Sequence, residues 1–90
     1  MQYDVEFLIT VTRKFADPSR GSKTFSDTSK KTVEAENEAE ALDKGFDEAV
    51  LELTGISGIT PDIDRAAMRF SVTYANGSGV VYSDFRVLPS

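Results

Sequence analysis

The chain contains neither cysteine nor histidine. The first absence excludes a disulfide framework, a thiolate metal site and a thiol nucleophile. The second removes the commonest general base and the commonest neutral metal ligand. Tryptophan is also missing, and there are only three prolines among 90 residues. No apolar run approaches the ~20 residues that a membrane-spanning helix needs. The start, Met1-Gln2-Tyr3-Asp4, has neither the basic nor the apolar stretch of a secretory leader. The expectation is one small domain over residues 1–90, cytoplasmic, with no membrane phase, no metal and no cofactor.

What is present is ordinary in kind and uneven in layout. Apolar residues make up 40% of the chain, enough for a core, so disorder is not expected. The net charge is −5, but residues 1–33 carry +2, residues 34–52 carry −7 and the remainder is neutral. A surface of that sign does not suit wrapping by nucleic acid, which calls for a broad basic face. It suits a protein partner with a basic surface better.

Periodicity supplies the elements. Tyr3, Val5, Phe7, Ile9 and Val11 alternate with polar residues, which predicts a half-buried strand over 3–15. Residues 16–23, ADPSRGSK, read as a turn. Phe25, Val33 and Ala35 fall in step, and a second strand over roughly 28–36 is expected to return antiparallel. A helix follows. Asn37-x-x-Glu40 is a variant of the capping box, and Ala39, Leu42, Phe46, Ala49, Val50 and Leu53 recur at helical spacing. Gly55 is placed to end it, whereas Gly45 lies inside it and suggests close approach to a sheet. Residues 54–65 read as a loop tucked against the core by Ile56, Ile59 and Ile63.

Residues 66–75 alternate again, and Asn76-Gly77 is a strong signal for a two-residue hairpin turn into a last strand over 79–88. That turn would set Arg69 opposite Asp84 on the outer side, with Val72 opposite Val81 and Met68 opposite Phe85 within. The order is β-β-α-β-β. The expected fold is α+β: a two-layer sandwich of a four-stranded, mostly antiparallel sheet with one helix on one face.

Motifs for chemistry are incomplete. Asp62-x-Asp64 lacks the remaining ligands of a calcium loop. Gly21-Ser22-Lys23-Thr24 lacks the spacing and the following helix of a phosphate loop. Acids along one exposed helix face do not oppose each other across a cleft, as acid/base catalysis would require. No catalytic residue is therefore assigned.

Three surfaces remain. On the helix, Asp43, Asp47, Glu48 and Glu52 surround Leu51; Asp43/Asp47 and Glu48/Glu52 are like-charge i,i+4 pairs, and Glu52 sits at the negative end of the helix dipole. Local rules broken without evident compensation point to function. The open sheet face is expected to carry Leu8, Thr10, Val80 and Tyr82, a partner or homodimer surface. Arg13, Lys14, Arg20 and Lys23, with Phe15 and Phe25, could track and stack a single-stranded nucleic acid. The leading reading is a non-catalytic protein-binding module, a small inhibitor or adaptor, or, on size and composition alone, a phage-type accessory protein. The alternatives are a nucleic-acid-binding domain and a self-associating structural subunit.

Overall fold

The computed structural model describes residues 1–15 and 17–89, so Ala16, at the start of the expected 16–23 turn, lies outside the described residues. Alternation in the first segment becomes β1 (Gln2–Lys14), and the basic turn contains a short 3-10 helix at Pro18–Arg20. Then follow β2 (Ser22–Glu34), α1 (Glu38–Ser57), β3 (Asp62–Asp64), β4 (Arg69–Thr73) and β5 (Gly79–Val87). The helix packs against one antiparallel sheet of order β2-β1-β5-β4-β3. The α+β sandwich is as expected, but the sheet has five strands, not four. The additional strand is Asp62-Ile63-Asp64, which pairs with Arg69-Phe70-Ser71. A three-residue strand is too short for periodicity to reveal.

β2 begins six residues earlier than expected, because its polar Ser/Thr/Lys stretch lies along β1 for the full length of both strands, from Gln2 opposite Glu34 to Lys14 opposite Ser22. The hairpin therefore outruns the helix. At 1.5 Å per residue, α1 is about 30 Å long, whereas the molecule measures 50 × 23 × 21 Å. Under the helix, β1 buries Val5 and Phe7; toward the hairpin end, Ile9 and Val11 are only half-buried.

The core has two joined parts. Phe7, Phe46, Ala49, Leu53, Phe70, Val72 and Tyr82 form one, and Val5, Val33, Ala35 and Ala41 form the other, with Phe85 packed against both. The aromatic rings interlock: Phe7 stacks on Tyr82 at 5.3 Å and on Phe85 at 4.9 Å, and Phe46 meets Phe70 edge-on at 5.1 Å. Edge-to-face and offset pairs are the favoured arrangements of ring quadrupoles. Gly45 supplies the close approach expected of it, since a Cβ there would lie 2.7–2.8 Å from carbons of Val5.

The helix is capped as its sequence implies: Asn37 Oδ1 accepts a hydrogen bond from the Glu40 N–H at 2.9 Å. It does not stop at Gly55. It continues to Ser57, and Gly58 takes the left-handed conformation (φ 69°), its N–H donating to the Thr54 carbonyl at 2.9 Å. The following segment also departs from expectation. Pro61 is buried, while Ile56, Ile59 and Ile63 are exposed rather than tucked inward.

The register of the second hairpin is one residue from that expected. Phe70 faces Tyr82 and Val72 faces Val80, not Val81. The turn is longer than Asn76-Gly77 alone. The Gly77 N–H donates to Tyr74 O at 2.9 Å, the Tyr74 N–H donates to Ser78 O at 2.7 Å, and Gly77 is left-handed at φ 88°. This is a three-residue loop closed by a left-handed glycine. A slip of one residue reverses which face each side chain occupies. A bulge then restores the parity. Asp84 has φ 56°, and the pairing of β1 with β5 shifts between Glu6 and Leu8. Val80 and Tyr82 thus face the helix side before the bulge, and Phe85 and Val87 face it after. Arg86 binds Glu6 on β1, so the cross-strand charge pair expected for Arg69 with Asp84 has its counterpart on the other neighbour of β5.

Candidate docking surfaces

Three of the acids on the helix, Asp47, Glu52 and Glu40, have intramolecular partners. Asp47 accepts from the guanidinium of Arg65, which also lies 5.1 Å from the Phe46 ring centre. Glu52 binds the Lys31 ammonium and accepts from the Tyr82 hydroxyl at 3.2 Å. Burial, and secondarily the Glu52 charge, push the Tyr82 phenol up to about 12. The apparent breach of local rules at Glu52 is therefore compensated by the sheet beneath it. Glu40 pairs with Lys44 at 2.9 Å. What remains is a smaller patch: Asp43 and Glu48, without ion pairs among the described residues, beside Leu51, which is 71% exposed.

Gly55 lies one turn beyond Leu51, inside the helix. A glycine there costs about 1 kcal/mol relative to alanine. Gly45 is accounted for by Val5, but a Cβ on Gly55 would meet nothing within 4 Å. Nothing among the described residues requires that position to be bare.

The expected open-face set divides between the two sides of the sheet. Leu8 and Thr10 lie on the face away from the helix. That face is largely satisfied by its own cross-strand contacts, among them Thr10 with Ser26 at 3.4 Å, Thr32 to Asp4 at 2.7 Å and Arg86 to Glu6 at 2.6 Å. Tyr82 and Val80 are on the other side because of the register slip. Tyr82 is 3% exposed and belongs to the core, so it is unavailable as an anchor.

Val80 instead borders a groove where the hairpin extends past the helix. This groove, about 380 Å³, is lined mainly by Val11, Phe25, Tyr74 and Val80, with Arg13 on its rim. Comparison with protein-family models, with curated proteins and with solved structures returned no match.

The rim of the groove is basic. Arg13 and Lys23 are directly opposed across β1 and β2, immediately beyond the Val11–Phe25 pair. Like charges placed so destabilise a sheet. No ion pair among the described residues relieves Arg13, Lys14, Arg20 or Lys23. Two of these cations cover aromatic rings: Lys23 Nζ lies 5.2 Å from the centre of Phe25, and the Arg20 guanidinium 4.4 Å from that of Phe15. Lys14 turns toward Gly77 on the neighbouring hairpin, and its N–H donates to Ser78 Oγ at 3.0 Å.

The sequence names the four cations but not the groove. Of its apolar lining, Val11 and Tyr74 read as core because they continue the alternation of buried strands, whereas Val80 is expected on the open face and Phe25 beside the cations.

Proposed function

We propose that the chain is a non-catalytic protein-binding module that docks its partner in the groove at the overhanging hairpin end. The observation behind this reading is the coincidence, in one place, of an uncovered apolar lining and an uncompensated basic rim. Burial of Val11, Phe25, Tyr74 and Val80 by a partner would supply the hydrophobic gain, and Arg13 and Lys23 would select for acidity around its anchor. The partner best matched is an acidic protein segment bearing a leucine-sized apolar side chain. Such a segment would also relieve the Arg13–Lys23 repulsion on binding.

This places the main docking surface away from the acidic helix, whose Asp47 and Glu52 already have internal partners. It also favours protein over single-stranded nucleic acid at the same tip. One face of Phe15 and one of Phe25 are covered by cations of the chain itself, so stacking a base on those faces would displace Arg20 or Lys23.

The test is an NMR titration of the labelled protein with an acidic helical peptide carrying one leucine, and separately with a single-stranded oligonucleotide. The peptide should shift the signals of Val11, Phe25, Tyr74 and Val80, and Arg13→Glu with Lys23→Glu should abolish the effect. Peptide shifts absent at low salt would sink this reading, and oligonucleotide shifts at the same residues would favour the nucleic-acid alternative.

A further inference from the structure

We infer that the groove of one copy receives the helix face of a second copy, so that the chain assembles head to tail. The inference rests on the groove being a protein-docking site, and it names the occupant.

The two surfaces left over in this molecule are complementary. One is a concave apolar surface with a basic rim: Val11, Phe25, Tyr74 and Val80, with Arg13 and Lys23. The other is a convex helix face whose apolar centre, Leu51, is 71% exposed beside Glu48, which has no ion pair among the described residues, and near Asp47, which Arg65 already binds. An exposed leucine with an unpaired carboxylate beside it is what the groove selects for, and it occurs on the chain's own helix.

Gly55 leaves that face open to a close neighbour. It follows Leu51 by one helical turn, it has open space around it, and no contact among the described residues accounts for it. A bare backbone at that position lets another surface approach the helix closely, as Gly45 lets Val5 of the sheet approach.

A chain cannot satisfy its own groove. Leu51 faces away from the sheet, whereas the groove lies on the helix side of the sheet beyond the helix. The contact must therefore join different patches on two copies. Such an interface is heterologous, and it propagates into a ring or an open filament according to the rotation between neighbours. The charge layout suits this: Arg13, Lys14, Arg20 and Lys23 gather at one end of a 50 Å long molecule, and the helix, with six acids and one lysine, lies over the rest.

The decisive experiment uses full-length variants that each lose one surface. Arg13→Glu with Lys23→Glu disables the groove and leaves the helix intact. Glu48→Lys with Leu51→Lys disables the helix and leaves the groove intact. All four positions are exposed, and circular dichroism checks that each variant is folded. In sedimentation at low ionic strength, the wild-type chain should grow in mass with concentration and return to a monomer in high salt. Each variant alone should remain a monomer. Their mixture should form a one-to-one dimer that grows no further, because only one groove and one helix remain competent. Gly55→Gln should weaken wild-type association at least tenfold with no loss of stability.

A wild-type chain that stays monomeric at millimolar concentration in low salt overturns the inference. So does a mixture that remains monomeric, or association that both variants retain unchanged. If the chain is monomeric and the acidic peptide still shifts the groove signals, self-assembly fails and the binding reading stands. If neither is seen, both fail.

Discussion

The hydroxyl of Tyr82, on β5, donates a hydrogen bond to Glu52, on α1, at 3.2 Å, and Lys31 of β2 binds the other carboxylate oxygen. Three elements are thereby tied together at one point where the helix crosses the sheet. The phenol, 3% exposed, is pushed up to about 12 from 10.0, first by burial and then by the neighbouring carboxylate. Below pH 10 both the folded and the unfolded chain keep the proton, so the contribution is constant. Between pH 10 and 12 the unfolded chain releases it first, and stability falls as pH rises. Tyr82→Phe loses the hydrogen bond and should be about 1 kcal/mol less stable than wild type at pH 7. The gap should narrow through pH 10–12, because the phenylalanine variant has no phenol to titrate. Urea denaturation at pH 7, 10 and 11.5 measures it, and a gap constant across that range would contradict the assignment.

Gly45→Ala sets two magnitudes against each other. Alanine favours the helix by about 1 kcal/mol. Its Cβ would lie 2.7–2.8 Å from carbons of the fully buried Val5, and overpacking of that kind typically costs about 1–3 kcal/mol. The collision should win, lowering the midpoint of chemical denaturation. Adding Val5→Gly removes all three of those carbons, so the two losses should be less than additive in a double-mutant cycle. Strict additivity would mean that the contact is not the cause.

Gly55→Ala should behave in the opposite way. The same helical gain of about 1 kcal/mol applies with nothing in its path, so the variant should be more stable by roughly 0.5–1 kcal/mol. Thermal denaturation of a dilute sample in high salt, where association is suppressed, isolates this effect. A decrease would show that the position is not helical and exposed as described.

Arg13→Glu should also stabilise the free chain. It replaces a like-charge cross-strand pair with an attractive one opposite Lys23, a change worth roughly 0.2–1 kcal/mol at low salt and less at high salt. The same substitution should weaken docking in the groove. A variant that becomes both less stable and less able to bind would indicate that Arg13 has an internal role.

Much of the fold was legible because the relevant signals are local. Alternation from Tyr3 to Val11, the cap at Asn37 and the helical spacing of Leu42, Phe46, Ala49 and Leu53 each depend on residues within a few positions of one another. The parity of β5 was not legible in this way. Read as an unbroken strand, its second half, with Phe85 and Val87 inward, requires Tyr82 to point outward. The bulge at Asp84 lets both halves bury their apolar residues, and it places Tyr82 in the core. An extra residue in one strand is visible only against its partner, here Phe7 and its neighbours on β1.

The candidate sites divide along the same line. The sequence by itself determined the α+β architecture, the helix cap, the packing role of Gly45 and the clustering of cations near the first turn, since each follows from spacing and side-chain chemistry over short distances. Only the tertiary structure decided that Asp47 and Glu52 have internal partners, that Tyr82 is buried, and that Val11, Tyr74 and Val80 are only half-buried and Phe25 exposed. Those outcomes depend on how far a helix of about 30 Å reaches across a longer sheet, and on which residues distant in the chain are brought opposite its charges.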